Sequence, residues 1–137
     1  MKHVIDTNCL LSFVTDRNLK QNRRMAAVFE RASILEEEVV LVSNVISEFV
    51  YVQLSVYKQK EKLVSAMIAD LVNHPGVQYH HGFFPETILS LWPGFVPDFG
   101  DAVIATAAKT LGIPVYTFDL AFRRCLERIA IPVDAPE

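Results

Sequence analysis

The chain has 137 residues, a net charge of −3 and a hydrophobic fraction of 51%. A disordered segment is excluded by this composition, and the length fits one domain, residues 1–137, with a well-filled core. The negative balance excludes recruitment to nucleic acid by an overall positive field, so such a partner must be met by a local patch or with help from metal. The chain opens directly on a strand-like segment broken by Asp6 and Asn8, unlike a signal peptide. No apolar run approaches the roughly 18 residues needed to span a bilayer, so the expected place is the cytoplasm, with no membrane partner. Cys9 and Cys125 cannot build a disulfide framework and match no zinc spacing, which leaves them as small apolar residues.

In chain order, strands are predicted at 3–6, 39–43, 77–80, 114–119 and 131–133. Helices are predicted at 22–38, 44–58, 61–73, 86–91, 98–111 and 120–128. Pro75-Gly76 ends one helix, Gly112 with Pro114 ends another, and Asn44 is placed to cap a third. The triplet Glu36-Glu37-Glu38 reads as a solvated helix end, although three acids there oppose the helix dipole. Strands alternating with helices predict a mostly parallel sheet joined by crossovers, an α/β fold.

Four acids stand within or beside apolar stretches. Asp6 ends His3-Val4-Ile5, Glu48 interrupts Val45–Val50, Asp101 precedes Ala102-Val103-Ile104-Ala105, and Asp119 ends Val115–Phe118. Glu48 has Asn44, Val45, Tyr51 and Val52 as helical neighbours, so no local Lys or Arg pairs with it. Asp6 and Asp119 end the two strands expected at the centre of the sheet, and ligands of open parallel sheets bind at that carboxyl edge. Glu48 and Asp101 fall in the first turns of helices that reach the same edge. Each acid also has a plainer reading: an Asx-turn for Asp6, a helix cap for Asp119, an N-cap and N3 pair for Asp98 and Asp101, a solvent-facing side chain for Glu48. Taken together they form an all-oxygen set suited to Mg²⁺ or Mn²⁺ rather than zinc. No nucleophile elbow, Cys–His pair or phosphate-binding glycine loop suggests a covalent route.

At these residues the chain resembles the PIN-domain family, and within it the VapC-type toxin ribonucleases. Val4-Ile5-Asp6-Thr7-Asn8-Cys9-Leu10-Leu11 is similar to the first motif, and Val42-Ser43-Asn44-Val45-Ile46-Ser47-Glu48 to the second, followed by Val50-Tyr51-Val52. Asp98-Phe99-Gly100-Asp101-Ala102-Val103-Ile104-Ala105 resembles the third, and Tyr116-Thr117-Phe118-Asp119 the fourth. The resemblance implies a three-layer α/β/α sandwich and a metal-dependent endoribonuclease that cleaves with activated water. It implies Asp6, Glu48, Asp101 and Asp119 as the catalytic acids, with Asp6 and Asp101 leading as metal ligands. Thr7, Asn8 and Thr117 would support that shell, and Asp98 would share the role of Asp101. It further implies a homodimer and a tightly bound antitoxin, which would reach the acids with a basic side chain.

Two apolar, aromatic regions, Phe49–Tyr57 and Phe83–Phe95, are open to reading as core or as partner groove. Arg123 and Arg124, close after Asp119, are the proposed RNA-backbone clamp, while Arg17, Lys20, Arg23 and Arg24 read as a solvated face. His80-His81 reads as a loop feature. A haloacid-dehalogenase-type phosphohydrolase is excluded because its second Asp would stand at Asn8. A receiver domain is excluded because Tyr79-His80-His81 lacks the phospho-accepting Asp. A PIN domain for RNA maturation, and one that binds RNA or protein without cutting, remain alternative readings.

Overall fold

The structure is a computed structural model and describes residues 1–135. Its centre is β1 (Lys2–Ile5), flanked by β2 (Glu38–Val42) and β4 (Val115–Tyr116), with β3 (Val77–His80) and β5 (Val133–Asp134) outside them in the order β3-β2-β1-β4-β5. Every strand pair is parallel, and Val4 pairs with Val40 on one side and Val115 on the other. A strand covered on both faces needs apolar residues at successive positions, as in Val39-Val40-Leu41-Val42, all buried.

Helices complete a three-layer α/β/α arrangement. They are α1 (Thr7–Val14), α2 (Leu19–Ser33), α3 (Ser43–Tyr51) continued by a π-helical turn (Val52–Val56), α4 (Glu61–Val72), α5 (Pro85–Leu91), α6 (Phe99–Leu111) and α7 (Leu120–Arg128). Gly112, at φ 66°, takes the left-handed conformation that ends α6, as a C-terminal glycine should. Ile5, Leu10, Leu41, Phe49 and Phe122 fill the core. Each side chain of that size contributes about 1.5–3 kcal/mol by leaving water.

Four local expectations are corrected. Residues 7–14, where no helix was expected, form α1, an apolar helix packed against α2 and α3. The helix expected over 22–38 starts at Leu19 behind an Asn18 cap and stops at Ser33. The chain then turns through Leu35, at φ 61°, so that Glu38 enters β2 and Glu37 is buried rather than solvated. Asn44 is not a cap. Helix α3 begins one residue earlier, its cap position is Val42, and the Asn44 amide instead donates to the Gly100 carbonyl at 3.3 Å. Lastly, β4 is shorter than expected because Thr117 leaves the sheet, its hydroxyl accepting from the Asp119 amide at 3.0 Å as the chain turns into α7.

The aromatic regions divide between the two readings. Phe49 is core and Trp92 packs against it, whereas Tyr51, Phe83, Phe84 and Phe95 are exposed. No helix among the described residues is long and apolar enough to cross a membrane.

Candidate active site

Between β1 and β4 the strand order reverses: the chain runs outward through β2 and β3 and later returns to β4 on the other side. The crevice at the carboxyl end of these two strands is where open α/β sheets bind ligands. Asp6 leaves β1 there and Asp119 follows β4.

Three acids at this edge begin helices. Asp6 caps α1, accepting from the Cys9 amide at 2.9 Å. Asp98 caps α6, accepting from the Asp101 amide at 2.9 Å. Asp119 caps α7, accepting from the amides of Ala121 and Phe122 at 2.8 and 3.2 Å. The positive ends of three helix dipoles therefore surround the crevice and favour its negative charge. Two threonine hydroxyls hold acids in place. Thr117 donates to Asp6 Oδ2 at 2.5 Å while its oxygen accepts from the Asp119 amide, and Thr7 donates to Glu48 Oε2 at 3.0 Å.

Asp101, half-buried, is the electrostatic centre. Burial first, then the charges of Asp98, Asp6, Asp119 and Glu48, push its carboxyl up to about 7. Asp6 is also raised, chiefly by burial, against the lowering effect of its bonds from Thr117 and Cys9. Burial and the neighbouring Asp6 charge raise the Cys9 thiol well above its ordinary value, which keeps it protonated and unsuited to nucleophilic attack. None of the five acids forms an ion pair with Lys, Arg or His among the described residues.

Asn44 and Gly100 were not assigned to the site from sequence. The Asn44 amide nitrogen reaches Gly100, but its Oδ1 is buried without a hydrogen-bond partner among the described residues. A Cβ on Gly100 would lie 3.2 Å from Asp98 Oδ2, 3.5 Å from the Asn44 amide and 3.8 Å from Glu48 Oε2, so the absence of a side chain keeps this space open. An orphaned Asn carbonyl beside repelling carboxylates offers the hard oxygen donors that Mg²⁺ and Mn²⁺ take. In their present rotamers the acids do not close into a cage: no three Asp, Glu, His or Cys side chains among the described residues are set to grip one ion. The reason is visible in the hydrogen bonds, since Asp6, Asp98 and Asp119 each turn an oxygen to a helix cap. The chemistry of the donor set, hard carboxylate and amide oxygens, fits a divalent ion.

Of the supporting residues expected from sequence, Thr7 and Thr117 touch acids. Asn8 is exposed and engaged with Arg17, whose guanidinium donates to its carbonyl at 3.0 Å. Arg123 meets Glu127 at 3.3 Å one turn into α7, and Arg124 is exposed.

A family model for the PIN domain matches residues 3–125. The chain belongs to the PIN-domain family. PIN domains are nucleases, and the acids described above stand at the carboxyl edge of this one. Solved structures that share its fold include two that align over nearly all of this chain. One is VapBC2 from Rickettsia felis, solved bound to a DNA fragment from its promoter, at TM-score 0.66 and 14% identity over 100% of each chain. The other is FitAcB from Neisseria gonorrhoeae, at TM-score 0.60 and 16% identity over 99% of this chain and 98% of that one. At these identities the likeness is one of fold. No curated protein matches the chain in sequence.

Proposed function

We propose that this PIN domain is a metal-dependent endoribonuclease, hydrolysing RNA phosphodiester bonds with activated water, and that it is the toxin of a toxin–antitoxin pair. The observation that carries the nuclease reading is Asp101: a half-buried carboxylate facing four others with no cation from the protein. Such an arrangement is costly unless a cation joins it. Asp6 and Asp101 would hold Mg²⁺ or Mn²⁺, with Glu48, Asp119 and Asp98 completing or flanking the set and the Asn44 carbonyl available to it. Bound there, such an ion would provide activation of water and offset charge on the phosphodiester. Thr117 fixes Asp6 through its Oδ2 and holds the turn that carries Asp119. Thr7 fixes one oxygen of Glu48, leaving the other to orient the attacking water. The three helix N-termini add fixed positive potential where a phosphate would sit.

The toxin assignment is supported by the shared fold with a VapBC and a Fit complex. An antitoxin fits a chain whose acids lack their own cation, since a basic side chain from a partner would neutralise them. A homodimer is part of the same reading, with the exposed Tyr51, Val56, Leu63 and Val72 offering apolar surface. We take residues 1–137 as one catalytic unit.

The test is cleavage of a pool of cellular RNAs by the purified chain, freed of any co-expressed partner, with Mg²⁺ or Mn²⁺. Wild type is expected to cut at discrete sites, while EDTA or Asp6→Asn abolishes cutting. A folded wild type that neither binds either ion nor cuts would overturn the reading and leave a binding module.

A further inference from the structure

Beside the acids lies an open depression of about 430 Å³, lined by Asn8, Arg17, Asn18, Gln21, Phe118 and Asp119. Its residues come from α1, from the α1–α2 connection and first turn of α2, and from the turn after β4. Their mutual hydrogen bonds are directional. Asn18 Oδ1 accepts from the Gln21 backbone amide at 3.0 Å, and Gln21 Oε1 accepts from the Ser12 hydroxyl at 2.9 Å. One Arg17 nitrogen donates to the Asn8 carbonyl at 3.0 Å, to Ser12 Oγ at 3.2 Å and, at a longer 3.5 Å, to Asn8 Oδ1. Each amide oxygen of the lining thus already accepts one bond within the protein. The groups without a partner in the protein are mainly donors, the amide N–H₂ of Asn8, Asn18 and Gln21 and the remaining guanidinium N–H of Arg17, with the second oxygen of Asp119 as an acceptor.

A donor-rich lining suits a phosphate or the acceptor edge of a base. Two residues decide between them. Asp119 contributes a carboxylate to the lining, which repels an anion. Phe118 contributes a half-buried ring on which a base can stack. Among the four bases, guanine presents the adjacent acceptors O6 and N7 together with an amino donor. Asp119 has Oδ1 committed to the α7 cap, and its second oxygen would accept from the guanine N–H groups. An adjoining cavity of about 300 Å³ shares Asn18, Gln21, Phe118 and Asp119 and adds Lys20, Arg24 and Arg123. It supplies the cations a ribose-phosphate chain requires as it leaves the base site.

We propose that the depression between the α1–α2 connection and the β4–α7 turn is a guanine-binding subsite, which selects the nucleotide next to the scissile phosphate. This rests on the nuclease reading above and goes beyond it by naming the residues that set sequence preference.

Two measurements separate the claims. Backbone amide NMR of the whole chain in EDTA, titrated with GMP, AMP, CMP and UMP, reads the subsite without metal or chemistry. GMP is expected to shift residues 8, 17, 18, 21 and 118 and to bind about tenfold more tightly than the others, in line with one good base contact. Gln21→Ala and the exposed-site variant Asn8→Ala should each reduce that preference while retaining the wild-type amide spectrum elsewhere. Equal affinities, preference for another base, or shifts confined to other surfaces would overturn the proposal. Cleavage of an RNA with a random segment, read by sequencing the cut ends, supplies the second measurement. Guanine should be enriched at one position beside the cut, and Gln21→Ala should flatten that enrichment. Cutting without guanine bias would overturn the subsite and leave the nuclease standing. Selective GMP binding without any cutting would support the pocket and sink the nuclease reading.

Discussion

His3 and Asp6 stand three residues apart at the centre of the sheet, and their surroundings are electrostatic opposites. The His3 ring is fully buried between two carboxylates, with Nδ1 2.6 Å from Glu37 Oε1 and Nε2 2.9 Å from Asp134 Oδ2. It stacks on Tyr116 at 3.6 Å, and Arg31 approaches the other Glu37 oxygen at 3.5 Å. Burial first, then the Glu37 charge, pushes the Tyr116 hydroxyl up to about 12, so it stays protonated and faces Glu37 as a donor. Every acid in this cluster has a partner from the chain. At Asp6 the acids have only caps, hydroxyls and one another. The fold sets a cation, Arg31, beside the buried Glu37, and at the carboxyl edge of the sheet the described residues set none beside the acids. The unneutralised set is the one to which the proposed function assigns a cation from outside.

The sharpest way to break this contrast is to remove one acid from each cluster. Asp101→Asn is expected to bring RNA cleavage down to background while melting, in EDTA, at or above wild type, because it removes a repelled charge. A lower melting temperature would count against the repulsion. Glu37→Ala should do the reverse. Breaking a buried pair from one side costs about 3–5 kcal/mol, so denaturant unfolding should shift by that amount while cleavage per folded molecule persists.

A smaller effect tests the external cation directly. Mg²⁺ at about 100 times its Kd should stabilise wild type by about 2.7 kcal/mol, read as a rise in melting temperature that Asp101→Asn lacks. An equal rise in that variant would place the ion elsewhere. Weaker still is the pH dependence. Asp101 has its folded-state pKa raised from 3.8 to about 7, so between those values the folded chain binds more protons than the unfolded one. In EDTA its contribution to stability is therefore present at low pH and lost as pH rises through about 7. Asp6 acts with the same sign. Asp101→Asn should flatten that fall, and with Mg²⁺ present ion binding should strengthen over the same range, because the ligand must be deprotonated. Asp134, half-exposed at the sheet edge, should matter least: Asp134→Asn is expected to cost about 1 kcal/mol or less.

The parallel sheet and the meeting of the acids were legible because both follow from position. A carboxylate that ends an apolar run in a parallel sheet reaches the carboxyl edge whatever the helices do. Helix α1 was not legible. Cys9, Leu10, Leu11, Phe13 and Val14 lack a clear polar face, and it is packing against α2 and α3 that makes them helical. Glu37 was misread because its partners, His3 and Asp134, are distant in sequence, so only the folded chain shows why an acid within Glu36-Glu37-Glu38 should be buried. Asn44 drew notice as a cap, a local role; its contact with Gly100 crosses 56 positions and needs α6 in place. Arg17 read as part of a solvated face with Lys20, Arg23 and Arg24; in the fold the turn carrying Phe118 and Asp119 stands beside it, and Gln21 joins the same lining.

Asp6, Asp98 and Asp119 each start a helix as well as lining the crevice, and that double use bears on how such a protein changes over generations. Asparagine caps a helix about as well as aspartate, and a single nucleotide change converts one codon to the other. A lineage can thus lose charge at any of these three positions and still begin its helices in the same place. If the proposed cleavage depends on those charges, descendants that keep the shape and surface but have lost it would lie one mutation away, without passing through an unfolded ancestor.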